Sequence, residues 1–169
     1  GGGLRRLTPQ RFLEVSDGSA PLRKTARAVW PARDQGTWLA LFDAGLFRHG
    51  DTGLVRVPVP GPRNESTYGL SVLEDRAGRL WYGDADNCWW RNGQESFEKV
   101  ALKPAVGASV TALFEDSKGR VWIGGRGGVV VCEDGRFRQI GPEDGLPGSE
   151  IAGFGQEKSG AVWVAGTEG

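Results

Sequence analysis

Between residues 110 and 140 the chain changes polarity in short, regular runs. VTALFED (110–116) alternates apolar and polar side chains, and SKG follows as a turn. RVWIGG (120–125) is a second strand-like run, RGG turns again, and VVVCED (129–134) is a third. The Asp134-Gly135 pair is a hairpin signal leading into a fourth run, RFRQI (136–140). The same phase recurs from Ala26, Gly69 and Ile151, and Trp38, Trp81, Trp122 and Trp163 follow one another after 43, 41 and 41 residues. A period of this length marks a repeat architecture of four-stranded units. No 3.6-residue period is present, which excludes a helical repeat.

Residues i and i+2 of a strand share a face. Each repeated Trp is followed two positions later by a small residue: Trp38/Ala40, Trp81/Gly83, Trp122/Gly124 and Trp163/Ala165. The opposite face carries Leu80/Tyr82, Val121/Ile123 and Val162/Val164, with Thr37/Leu39 in the first unit. A strand that is apolar on both faces belongs to a sheet covered on both sides. A single up-and-down barrel would show one apolar face per strand. Four-stranded sheets covered by copies of themselves are the blades of a β-propeller. The indoles then act as wedges between blades, and the small residue leaves room for the next blade. Ala28, Ser71, Ala112 and Gly153 form a second small-residue column, expected where innermost strands crowd together. Gly78, Gly119 and Gly160 occupy one turn position that favours positive φ, whereas the first unit has Gln35 there and Gly36 next, predicting a different turn.

The expected fold is therefore all-β, a β-propeller of four four-stranded blades per chain. Three blades fall at 26–60, 69–102 and 110–141, and the fourth is split, with its first strands in 151–169 and its last in 1–16. Three closures remain open: a four-bladed ring from one chain, an eight-bladed ring from two chains that complete each other's split blade, and a segment of a larger ring. Ala or Gly two residues after every Trp favours close, nearly parallel blades, and hence the eight-bladed homodimer.

Composition changes this picture little. Twenty-one basic and 21 acidic residues cancel, which argues against a general attraction to nucleic acid or to an anionic membrane. No apolar run reaches the roughly 18–20 residues needed to span a bilayer, and no basic-then-apolar leader opens the chain. There are 28 glycines and no Met, so the chain is read as a processed, excised or engineered piece. Cys88 and Cys132 lie on adjacent repeats and are expected as buried free thiols.

Candidate chemistry is sparse. His49 is the only histidine, and no GxSxG, HExxH or phosphate-loop signature is present, so no enzyme and no cofactor are expected. GDADNCWW (83–90) puts Asp84, Asp86 and Asn87 on a turn; this is Asx-type capping or, less specifically, a cation contact that would need further oxygens. GGRGG (124–128) opens no helix and is a turn with Arg126 at its tip. Trp89 and Trp90 point to opposite faces, as wedge packing or as one exposed stacking platform. In up-and-down geometry the turns between second and third strands and the linkers between blades share one face of the disc. That face gathers Asp43, Arg63, Asn64, Glu65, Asp84, Asp86, Asn87, Arg126 and Glu168, and is where a ligand is expected. The turns of the opposite face (RDQG, RAG, SKG, KSG) read as plain connections.

VTALFEDSKGRVWIGGRGGVV and GPEDGLPGSEI resemble the two-component regulator propeller repeat, with its Asp-x-x-Gly turn, Trp-bearing strand and DGLP linker. Asp75–Gly78, Asp116–Gly119, Trp81, Trp122, Trp163 and the terminal GTEG fall on that pattern, tightly in the third and fourth units and loosely in the first. The resemblance implies the sensor part of a bacterial membrane-bound histidine kinase or related regulator. It further implies a periplasmic location and a small-molecule or oligosaccharide ligand. No kinase, receiver or DNA-binding segment lies in this chain. The alternative is a purely structural, self-assembling propeller piece without a ligand.

Overall fold

Short strand-forming runs punctuated by residues that accept a left-handed backbone fold into antiparallel meanders. The structure is a computed structural model that describes residues 5–7, 12–14, 24–61, 68–102, 109–146, 148 and 150–167. The first full sheet comprises β3 (Thr25–Pro31), β4 (Thr37–Phe42), β5 (Gly45–Gly50) and β6 (Gly53–Val57). The second comprises β7 (Gly69–Glu74), β8 (Arg79–Asp84), β9 (Cys88–Asn92) and β10 (Glu98–Lys99). The third comprises β11 (Val110–Glu115), β12 (Val121–Gly125), β13 (Gly128–Glu133) and β14 (Arg136–Ile140). Two further sheets have two strands each: β1 (Arg5–Leu7) with β2 (Phe12–Glu14), and β15 (Ile151–Gln156) with β16 (Val162–Gly166). Among the described residues these two pairs remain separate sheets and do not join into one four-stranded blade.

Every first strand carries the same irregularity, a register shift at Ala26/Ala28, Gly69/Ser71, Val110/Ala112 and Ile151/Gly153. The repeated bulge bends these strands where they touch, β3 on β7, β7 on β11 and β11 on β15, and so places them innermost. The small-residue column sits here. Ser71 donates its hydroxyl to the Val110 carbonyl (2.8 Å), and the neighbouring Thr111 donates to the Ile151 carbonyl (2.6 Å).

The wedge pattern is observed in the first three units. Trp38, Trp81 and Trp122 are 7%, 1% and 9% exposed, and each faces the sheet that follows. Burying an indole of roughly 150–250 Å² contributes about 4–6 kcal/mol before entropy is counted. A Cβ on Gly83 would stand 2.5 Å from Val110 Cγ1, and one on Gly124 would stand 2.6 Å from Ile151 Cγ2. The small residue thus admits the first strand of the next sheet. Trp163 departs from the expectation: it is 65% exposed, and Ala165 is exposed with it. The pair β15–β16 ends the stack. Its Val162/Val164 face packs on the Trp122 side of the third sheet, which turns the Trp163 face outward.

The first turn also departs from expectation. Gln35 itself takes the left-handed conformation, φ +68°, beside +84°, +78° and +91° at Gly78, Gly119 and Gly160. The amide of Ala32 bonds the Gly36 carbonyl at 2.9 Å, matching Asp75–Arg79, Asp116–Arg120 and Glu157–Ala161. The turn geometry is therefore the same in all four units, with a non-glycine residue strained into it. Cys88 and Cys132 are free, buried and in one apolar cluster, and burial is the leading cause that pushes both thiols up from their ordinary pKa.

Candidate functional site

The turns of one face are built from a single rule. The turn after the first strand carries an acid six residues before the Trp and, in the middle units, an Arg two residues before it. Asp116 accepts from the Lys118 and Arg120 amides (2.9 and 3.0 Å), from Arg120 Nε (2.6 Å) and from the Trp122 indole N–H (2.9 Å). Asp75 does the same for the Arg79 amide (2.9 Å), Arg79 Nε (2.7 Å) and the Trp81 indole (2.8 Å). Both carboxylates are buried. Burial of Asp116 pushes its pKa up, but the bonds from Trp122, Arg120 and Lys118 outweigh it and leave the group below the ordinary carboxylate value. Arg79 and Arg120 also lie 5.4 Å from the Trp81 and Trp122 ring centroids. In the fourth unit Glu157 accepts from Trp163 (2.7 Å). In the first, Ala32 stands at the acidic position, and the Trp38 indole crosses to Glu74 of the second sheet instead (2.7 Å).

These turns, expected as plain connections, also bind sheet to sheet. The Arg33 amide donates to Glu74 (3.3 Å), the Arg76 amide to Glu115 (3.1 and 3.0 Å), and the Ser117 amide to Gln156 (2.8 Å). Each acceptor lies seven residues before its own Trp; at the equivalent position of the first unit stands Pro31, which has no side-chain acceptor. The sequence signal for this scaffold was visible in Asp-x-x-x-Arg-x-Trp at 75–81 and 116–122.

The opposite face has a different turn in each sheet. Asp43, exposed and at φ +63°, forms the β4–β5 turn with Ala44. The β8–β9 turn is an Asx cap: Asp84 is buried, its Oδ1 accepts from the Asp86 and Asn87 amides (2.8 and 2.6 Å), and its Oδ2 accepts from the Trp89 indole (3.0 Å). Asn87 is also buried, and Asp86 alone of the three is exposed. Arg126, exposed at the β12–β13 turn, bridges to Glu150 with an N–O distance of 3.8 Å. Among the described residues no hydrogen bond or ion pair joins Asp43 to the other turns. Arg63, Asn64, Glu65 and Glu168 lie outside the described residues. No group of three or more His, Cys, Asp or Glu side chains among the described residues is arranged to hold a metal ion. Trp89 and Trp90 are both wedge residues; Trp89 packs toward the first sheet, and Trp90 stacks on Trp81 at 5.9 Å.

A family model described as the two-component regulator propeller matches residues 106–127, the stretch that contains β11, the Asp116 clamp and β12. The chain carries a two-component regulator propeller repeat. The fold of solved proteins agrees with it. The extracellular domain of a putative hybrid two-component system from B. thetaiotaomicron is 16% identical with a TM-score of 0.72, covering 98% of this chain and 23% of that one. A second such domain from B. thetaiotaomicron is 17% identical with a TM-score of 0.69, covering 84% of this chain and 20% of that one. Virginiamycin B lyase from Staphylococcus aureus is 14% identical with a TM-score of 0.70, covering 91% and 52%. The propeller chain thus spans from 20% to 52% of these proteins. At such identities the likeness establishes an all-β propeller fold, which sensor domains and an enzyme share. No curated protein matches the chain in sequence. No helix among the described residues is long and apolar enough to cross a membrane.

Proposed function

We propose that this propeller chain is a non-catalytic binding module of the kind found in two-component sensors, working outside the cytoplasm, in the periplasm of its bacterium. The observation that carries the reading is the contrast between the two turn faces. One face repeats an acid-to-indole clamp in the second, third and fourth units, and the other presents different side chains on the same rigid frame. Asp43, Asp86 and Arg126 are exposed polar groups on the strand-joining turns of that second face, and they are the contacts for a small-molecule or oligosaccharide ligand. Asp84 and Asn87 shape the turn that holds Asp86 out. The experiment is a glycan and metabolite array followed by titration calorimetry on the hit. Asp86→Ala and Arg126→Ala are expected to weaken binding about tenfold with an unchanged unfolding midpoint. An array without a hit, or a hit indifferent to both substitutions, refutes the assignment.

A second copy of the chain completes the assembly in this reading, its β1–β2 pair adding to β15–β16 so that two chains form an eight-bladed ring. The exposed Trp163 and the two unjoined strand pairs support it. Light scattering on a sizing column is expected to give twice the 18.2 kDa of one chain, and Trp163→Ser to shift the mass toward one chain. A single-chain mass for the unsubstituted protein sinks the dimer.

A further inference from the structure

A cavity of about 340 Å³ opens where the outer strands of the first and second sheets splay apart, on the side of the repeated turns. Arg48, Arg56 and Arg91 line it together with Trp38, and no Asp or Glu does. Arg48 is built into place. Its guanidinium lies 5.5 Å from the Trp38 ring centroid and pairs on its outer side with Asp34, whose pKa it holds below the ordinary value mainly through their hydrogen bond. A Cβ on Gly36 would come within 2.5 Å of Arg48 Nη2, and one on Gly50 within 2.8 Å of Nη1. Neither glycine has a positive φ; at Gly36 a Cβ would also meet the His49 carbonyl oxygen at 2.9 Å, whereas at Gly50 only the Arg48 guanidinium stands within 4 Å.

Arg91 enters from β9. Its guanidinium carbon is 5.8 Å from the Trp38 centroid and 4.8 Å from that of Phe97, and among the described residues it makes no hydrogen bond or ion pair. Its Nε is the one buried side-chain N or O atom among the described residues that lacks a hydrogen-bond partner. Burial lowers its pKa, yet a guanidinium stays protonated at any working pH. The buried Nε without an acceptor is costly, and the rest of the Arg91 guanidinium, on a residue that lines the cavity, has no anion beside it; Arg48, the second guanidinium there, has Asp34 on its outer side only.

We propose that this wedge is a binding site for a small oxyanion, a carboxylate or phosphate group held by Arg48 and Arg91 beside the face of Trp38. Guanidinium forks match the paired oxygens of either group and are strongest where water is partly excluded. The volume lies at the small end of ligand pockets, so the occupant is a compact anion or the anionic end of a larger molecule. The site lies away from the varied turns and does not depend on a ligand there or on ring closure.

The test follows the Trp38 indole N–H in proton–nitrogen spectra during titration at low ionic strength, with inorganic phosphate in one arm and citrate in the other. A saturable shift in at least one arm is expected, and the arm that responds distinguishes phosphate from carboxylate. Arg91→Met is expected to weaken binding tenfold or more, equivalent to 1.4 kcal/mol. Arg138→Gln, far off on the third sheet, is expected to leave it unchanged. Arg91→Lys keeps the charge without the fork and serves if the Met variant does not fold; it too is expected to weaken binding. No saturable shift in either arm, or binding within twofold of wild type in the folded Arg91 variant, overturns the site.

Discussion

Replacing Asp116 by Ala tests the clamp that organises the repeat. The carboxylate is fully buried and accepts four hydrogen bonds, one from a guanidinium and one from the Trp122 indole. Its loss strands a partly buried cation and a buried indole donor. Removing one partner of a buried pair costs about 3–5 kcal/mol, and each donor left unsatisfied about 1–3 kcal/mol, with the terms overlapping. A loss of about 3–5 kcal/mol is expected, or roughly 6–20 °C in unfolding midpoint for a chain of this size. Urea unfolding followed by Trp fluorescence measures it. The acid limb gives a second readout. The folded pKa of Asp116 lies below its unfolded value, so the contribution is complete above the unfolded value, near 3.8, and fades as pH falls through the folded one. The unsubstituted protein is expected to lose stability there more steeply than Asp116→Asn. A cost below about 1 kcal/mol for Asp116→Ala would refute the view that the clamp holds the blade.

Gly124→Val is expected to cost at least 1–3 kcal/mol in urea unfolding, because its Cβ meets Ile151 at 2.6 Å and the neighbouring strand cannot retreat. Gln35→Gly, at φ +68°, is expected to raise the unfolding free energy by up to about 1 kcal/mol by relieving a left-handed side chain. Cys88 and Cys132, buried and with thiol pKa values pushed up, are expected to resist a thiol reagent at pH 8 and to react fully in urea; fast reaction of either in the folded state would contradict their burial.

Much of the frame was legible because the physics that sets it is local or periodic. Trp-x-small recurs once per unit, and the glycine turns announce their own backbone. Gln35 was misread because residue type only biases φ, while the flanking strands impose it. The clamp was missed for another reason: an acid and an Arg four apart look like ordinary surface charge until the intervening turn brings them onto one indole. Trp163 has the local sequence of a buried residue, but its burial depends on the sheet that follows, which a repeat pattern does not supply. At the candidate site, sequence located the turn at 84–87 but could not divide its residues between inside and outside. That division follows from which carboxylate the Trp89 indole reaches.

The side-chain acceptor seven residues before Trp81, Trp122 and Trp163 gives the stack a polarity. Every sheet receives a turn amide from its predecessor on Glu74, Glu115 or Gln156, while the first sheet presents Pro31 in that place. A blade arriving upstream of Thr25 therefore meets a mute joint, whether it comes from the same polypeptide or another. The interlock between sheets is directional: each later sheet offers an acceptor to the turn before it, and the first sheet offers none.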